Sequence, residues 1–203
     1  MPTMTIVKTG NADGSVMNGT ATQTSTGTIG HSGTITNAGV SGTLNIAGSS
    51  AGEEFGTVTL AEGHGFEDDD VVDVYWTGGV CPGMVVSSSG ATTITITDAD
   101  SDTLPIHGTT VVVGKVQEVA FVVNGTNVEG LMASCNKRCH LEFRTAAASS
   151  LKWEVTAGGM RDWLYDSGLT NPVTGDSLTH VRVSCGETTA GVLNIECLYD
   201  SEA

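Results

Sequence analysis

Short runs of alternating apolar and polar residues, cut by glycine and serine about every eight to twelve positions, fill most of this chain and leave little room for helix. In Thr92-Thr93-Ile94-Thr95-Ile96-Thr97 the two isoleucines share a face, and in Gly56-Thr57-Val58-Thr59-Leu60 so do Val58 and Leu60. The branched Cβ of Thr, Val and Ile suits a pleated, half-buried surface. Glycine, 27 of the 203 residues, supplies the turns between such strands. Good helix formers never cluster into a long amphipathic stretch. The expected class is all-β.

The pattern divides the chain into three regions. Residues 1–55 form a Gly/Thr/Ser-rich segment in which Gly27-Thr28-Ile29, Gly33-Thr34-Ile35 and Gly42-Thr43-Leu44 echo one another at irregular spacing, unlike a regular solenoid. Each phrase offers one apolar residue among turn formers, too little to hold a strand in isolation. The expectation is an extended N-terminal arm, or a small β region, ordered by another sheet or a neighbouring subunit. Residues 56–116 read as an acidic β-barrel-like unit or small sandwich, with strands at 56–60, 71–76, 81–86, 92–97 and 109–116. Residues 117–203 read as an antiparallel, jelly-roll-like β-sandwich, with strands near 117–123, 128–133, 139–144, 152–155, 180–184 and 192–199. Arg161-Asp162-Trp163-Leu164-Tyr165 is expected to be a turn or short helical piece, and Asn171-Pro172-Val173-Thr174-Gly175-Asp176 a loop with a fixed turn.

Charge narrows the partners. The formal net charge of −15 repels duplex nucleic acid, whose affinity for proteins comes mainly from Lys and Arg. Eleven acids and no Lys or Arg lie between Glu53 and Asp102, whereas six of the eight bases lie from Lys137 onward. No apolar stretch of about twenty residues is present to span a membrane as a helix. Met1-Pro2-Thr3-Met4-Thr5 lacks the basic-then-apolar order of a secretory signal. The five cysteines are an odd number, and alternation puts Cys139 with Leu141 and Phe143, Cys185 with Val181 and Val183, and Cys197 with Leu193 and Ile195. They are expected to be buried free thiols acting as small hydrophobes, in a protein folded in a reducing cytoplasm.

Several clusters invite a chemical reading. Asp98-Ala99-Asp100-Ser101-Asp102 alternates carboxylates as calcium loops do, but the sixth and twelfth positions hold Thr103 and Thr109 instead of Gly and Glu. A solvated acidic turn is expected there, and another at Glu67-Asp68-Asp69-Asp70. Cys135-Asn136-Lys137-Arg138-Cys139-His140 carries zinc-type ligands without a second close pair to complete a tetrahedron. His31, His64, His107, His140 and His180 fall in separate segments, and no helix is available to receive a phosphate loop. For glycosidic chemistry, no pair among the 23 acids is singled out. Trp76 and Trp153 suit core positions, whereas Trp163 beside Arg161 and Tyr165 is either an exposed anchor or a lid over the second core. No catalytic, cofactor-binding or metal residue is assigned, and no cofactor is expected.

Several phrases resemble the small β-rich virion proteins of tailed bacteriophages. They are Gly63-His64-Gly65-Phe66 with Asp70-Val71-Val72-Asp73-Val74-Tyr75-Trp76, Asp102-Thr103-Leu104-Pro105, Asn171-Pro172-Val173-Thr174-Gly175, and Val192-Leu193-Asn194-Ile195 with Leu198-Tyr199-Asp200-Ser201. The resemblance covers roughly residues 56–203 and implies a non-enzymatic structural role in the particle, most simply as a capsid decoration (cement) protein. Its implied partners are the major capsid protein or neighbouring virion subunits, and copies of itself in a dimer or trimer, with no nucleic acid and no membrane. The alternative is a tail component, or a glycan-binding surface module using Trp163, Tyr165 and the acidic turn.

Overall fold

Every regular element of the described residues is a strand, as the alternation requires. In the computed structural model the described residues are 3–12, 15–24, 27–47, 53–98, 103–123, 128–145, 149–164 and 178–199. The chain runs through β1 (Thr3–Ala12), β2 (Ser15–Thr24), β3 (Gly27–Ile35), β4 (Val40–Asn45), β5 (Phe55–Leu60), β6 (Val71–Trp76), β7 (Gly79–Ser89) and β8 (Thr93–Thr97). It continues with β9 (Thr110–Lys115), β10 (Gln117–Val123), β11 (Val128–Cys135), β12 (Cys139–Thr145), β13 (Ser149–Val155), β14 (Gly159–Leu164), β15 (Leu178–Cys185) and β16 (Gly191–Tyr199).

Six strands close an antiparallel barrel in the order β4-β5-β8-β7-β6-β9, with β9 pairing back onto β4. Leu44, Val58, Val72, Val74, Ile94 and Ile96 fill it, all withdrawn from solvent. Each such side chain stabilises the fold by about 1.5–3 kcal/mol. Closure leaves the barrel with no open sheet edge.

Two four-stranded antiparallel sheets make up the rest, in the orders β10-β15-β12-β13 and β14-β11-β16-β3. One core joins them: Phe121, Leu141, Phe143 and Val181 from the first sheet meet Ile35, Leu131, Trp163 and Ile195 from the second. The pairings are nested. β3 pairs with β16, β10 with β15, β11 with β14 and β12 with β13, as in a long ribbon folded at its middle. The barrel sits in the first connection of that ribbon, between β3 and β10.

The echoed phrases near the N-terminus therefore take up definite places. Gly27-Thr28-Ile29 and Gly33-Thr34-Ile35 lie on β3, which pairs with β16 over nine positions, and Gly42-Thr43-Leu44 lies on β4 in the barrel. Strand pairing thus crosses the boundary drawn near residue 55. β1 and β2 pair with each other in a two-stranded sheet. At Arg161–Leu164 the expected turn or helical piece is instead the strand β14. A turn in which Gly159 donates to the Thr156 carbonyl sends the chain back, and pairing with β11 recruits it. The polar pair Arg161-Asp162 had concealed this strand. Tyr165 and the loop 171–176 lie outside the described residues.

Candidate functional site

The most elaborate polar chemistry of the described residues sits where the barrel meets the first sheet, and β6 builds it. Val72 and Val74 point into the barrel, so period-two alternation turns Asp73 and Tyr75 the other way, onto the sheet. On the sheet side, Cys139, Leu141 and Phe143 face the second core, which turns His140 outward from β12. Ser184 stands between core residues Val183 and Cys185 and likewise faces the barrel. These polar groups are covered: Asp73 is 2% exposed, His140 7% and Ser184 0%.

They form a closed ring of hydrogen bonds. The His140 backbone N–H donates to Tyr75 Oη at 2.9 Å, and the Tyr75 hydroxyl contacts Ser184 Oγ closely. Ser184 Oγ donates to Asp73 Oδ2 at 2.5 Å, and the same oxygen lies 3.1 Å from His140 Nδ1. Asp73 Oδ1 accepts the Gly83 N–H at 2.7 Å. That last donor is free because Cys81-Pro82-Gly83 forms a bulge: the β6–β7 register shifts between Val72 and Val74, and Gly83 takes φ +75°. Burial, and then the Asp73 carboxylate, push the Tyr75 phenol well above its usual range, which holds it as a neutral donor.

Arg138 rivets the same seam from its rim. Its guanidinium donates to the Trp76 and Gly79 carbonyls of the barrel at 2.6 and 2.9 Å and to Glu154 on β13 at 2.7 Å, and it lies over the Tyr75 ring. The two bodies approach backbone to backbone. A Cβ on Gly114 would stand 2.4 Å from the Cys185 carbonyl oxygen, and one on Gly186 would stand 2.6 Å from the Tyr75 ring.

Ser, His and Asp meet here, but not in the order that makes a nucleophile. In a hydrolase triad the histidine stands between serine and carboxylate. Here the carboxylate stands between the other two and accepts from both, and the serine is sealed from solvent. The arrangement does the work of a latch. Beside it opens a cleft of about 190 Å³ between the barrel wall, with Val71 and Val85, and the sheet side chains Glu142, Arg144, Lys152 and Arg182.

The other clusters disperse. Cys135, Cys139, Cys185, Cys197 and Cys81 are all buried, and none is in a disulfide. A hydrogen bond from Cys139 lowers the Cys135 thiol to about 7 and raises Cys139 in turn, while burial pushes Cys197 up to about 12. Among the described residues no group of three or more His, Cys, Asp or Glu side chains is arranged to hold a metal ion. Of the acidic run 98–102 only Asp98 is described. His64 bonds the Gly90 carbonyl and stacks on Phe66, His107 bonds Ile46, and His180 faces Thr179 and Glu118. Trp163 is 4% exposed and belongs to the second core, which resolves the choice between anchor and lid in favour of core packing. Gly48-Ser49-Ser50-Ala51-Gly52 has the spacing of a serine nucleophile elbow, which requires a strand before it and a helix after it. Here β4 precedes and β5 follows, and residues 48–52 lie outside the described residues.

The Asp73–Tyr75–His140–Ser184 ring was not singled out from sequence. A signal was present, since Asp73 and Tyr75 interrupt the Val71–Trp76 run on one face only. What covers that face is decided by residues about 65–110 positions away. No family model matches the chain, and neither a curated protein nor a solved structure matches it.

Proposed function

We propose that this chain is a structural protein of a bacteriophage virion, most simply a capsid decoration (cement) protein that stabilises the shell through subunit contacts. The observation that carries the reading is the nested pairing of β3 and β10–β16. An eight-stranded ribbon folded in that way is a jelly roll, an architecture that recurs in viral shells. The latch supports it, because a barrel and a sandwich locked by buried polar contacts form a stiff block suited to bearing load between neighbours. The proposed partners are the major capsid protein or adjacent virion subunits, together with further copies of the chain in a dimer or trimer, assembled in the host cytoplasm. Repetition over a shell multiplies individually weak contacts. The N-terminal segment before β3 is assigned to neighbour contacts, and no catalytic role is assigned.

The test is mass spectrometry and cryo-electron microscopy of particles from the source. Fixed stoichiometry with the capsid subunit and density for barrel and sandwich on the shell are expected. Density in the tail would move the chain to the tail-component reading, and absence from particles would overturn the virion reading altogether.

A further inference from the structure

The two halves of this molecule differ in charge, and the difference falls beside a cleft. Barrel residues 40–115 hold eleven acids and one base, Lys115, whereas residues 117–203 hold eleven acids and six bases. Three of those six, Arg144, Lys152 and Arg182, come from adjacent strands to line the cleft. Register explains their convergence. Glu118, Arg182, Glu142 and Lys152 form one row across β10, β15, β12 and β13, with Arg144 one step along on β12. Arg182 pairs with Glu118 at 2.9 Å and Arg144 with Glu142 at 2.9 Å, so the row carries one more cation than anion. Its outer member, Lys152, is exposed.

The acidic turn Glu67–Asp70 stands on the rim of the same cleft, since Asp70 directly precedes the lining residue Val71. The turn is rigid. Glu67 N–H donates to Asp70 Oδ2 at 2.8 Å, Asp69 N–H to the Val86 carbonyl at 2.8 Å, and Lys115 clasps Asp70 at 2.7 Å. Asp69 adopts φ +69°, a left-handed conformation that Asp tolerates better than most residues. Glu67, Asp68 and Asp69 are thereby held outward into solvent with little ordering cost left for binding.

We infer that this face binds a second copy of the chain about a two-fold axis, the acidic turn of each protomer entering the basic row of the other. An acid rim beside a basic row on one surface is self-complementary under a two-fold rotation, which makes each contact twice. It also relieves the barrel's excess negative charge against the only region rich in bases. The inference rests on the homo-oligomer part of the reading above and selects a dimer.

Sedimentation velocity on the purified full chain tests it, at low salt and at about 0.5 M salt, where exposed charges are largely screened. A dimer at low salt that dissociates at high salt is expected. Asp68→Lys and Lys152→Glu each place like charges together and should weaken association at least about tenfold. The double reversal should restore it to within a few-fold of the wild type. Asp68→Asn and Lys152→Gln, which add no new charge, should give smaller losses in the same direction. A chain that stays monomeric at low salt, a closed trimer, or a dimer indifferent to both reversals would overturn the inference. None of these outcomes bears on whether the chain is present in particles, and its absence from particles would leave the dimer result standing.

Discussion

The barrel and the two-sheet body solve the problem of strand edges in opposite ways. The barrel is continuous in sequence, from Val40 to Lys115, and closes on itself through β4 and β9. The body is discontinuous: its second sheet is completed by β3, which precedes the whole barrel, and β3, β14, β10 and β13 remain as edges. The barrel can therefore form from its own contacts. The body has to wait for a partner strand more than 150 residues from β16. Contacts so distant in sequence carry a larger loop-closure cost and form slowly. What joins the two is neither a shared sheet nor a shared core but a seam of the polar latch, the Arg138 contacts and the close backbone packing at Gly114 and Gly186.

Removing β3 should separate them most. A chain beginning at residue 36 keeps all six barrel strands and loses Ile35 from the second core together with the partner of β16. The Ile35 cavity alone costs about 2–5 kcal/mol, and the unpaired β16 edge adds to it. Trp76, at the barrel, should keep its folded fluorescence and collisional protection, while Trp153 and Trp163, in the body, lose theirs; single-tryptophan variants report each separately. A truncated body as stable as the wild type would break the comparison.

Asp73→Ala should be next in size. It leaves the buried Ser184 hydroxyl and His140 ring, and the Gly83 N–H at the cleft, without their shared acceptor. Removing one member of a buried charged network costs about 3–5 kcal/mol. Because the lost contacts lie between the bodies, the expected signature is not only a lower midpoint but a single thermal transition splitting into two. Calorimetry measures this directly. A variant that melts in one step near the wild-type temperature would show that the apolar contacts, not the latch, couple the bodies.

How much of this was legible in the sequence follows from the range of the interactions. The barrel strands were readable because Ile94 with Ile96 and Val58 with Leu60 carry their alternation within a few residues. The cysteine faces were readable for the same reason. β14 was not, because Arg161 and Asp162 are polar on both faces of the strand, and Trp163 alone does not make an alternation. Nor was the role of β3, whose Gly-rich run becomes a strand only through its nine-residue pairing with β16. The latch was the least legible. Asp73, His140 and Ser184 each look like a solvent-facing residue on a half-buried strand, and only the docking of the two bodies buries them.

Acid should loosen the body through its exposed carboxylate pairs, with the smallest effect of the three. Glu187 accepts the Arg138 N–H and pairs with Lys137 at 3.1 Å, and these contacts hold its carboxyl below the ordinary value of 4.5. Arg182 does the same for Glu118. A carboxyl with a depressed folded value contributes stability that is present above the unfolded value and lost as pH falls through the folded one. Both side chains are substantially exposed, so each contributes no more than about 0.5 kcal/mol. Glu187→Gln should therefore lower the midpoint slightly at pH 7, and the difference should vanish once the pH falls well below 4.5. Melting Glu187→Gln beside the wild type at pH 7 and again at about pH 3 measures this. A difference between the two chains that persists undiminished in acid would mean that the Glu187 carboxylate is not the source of the contribution.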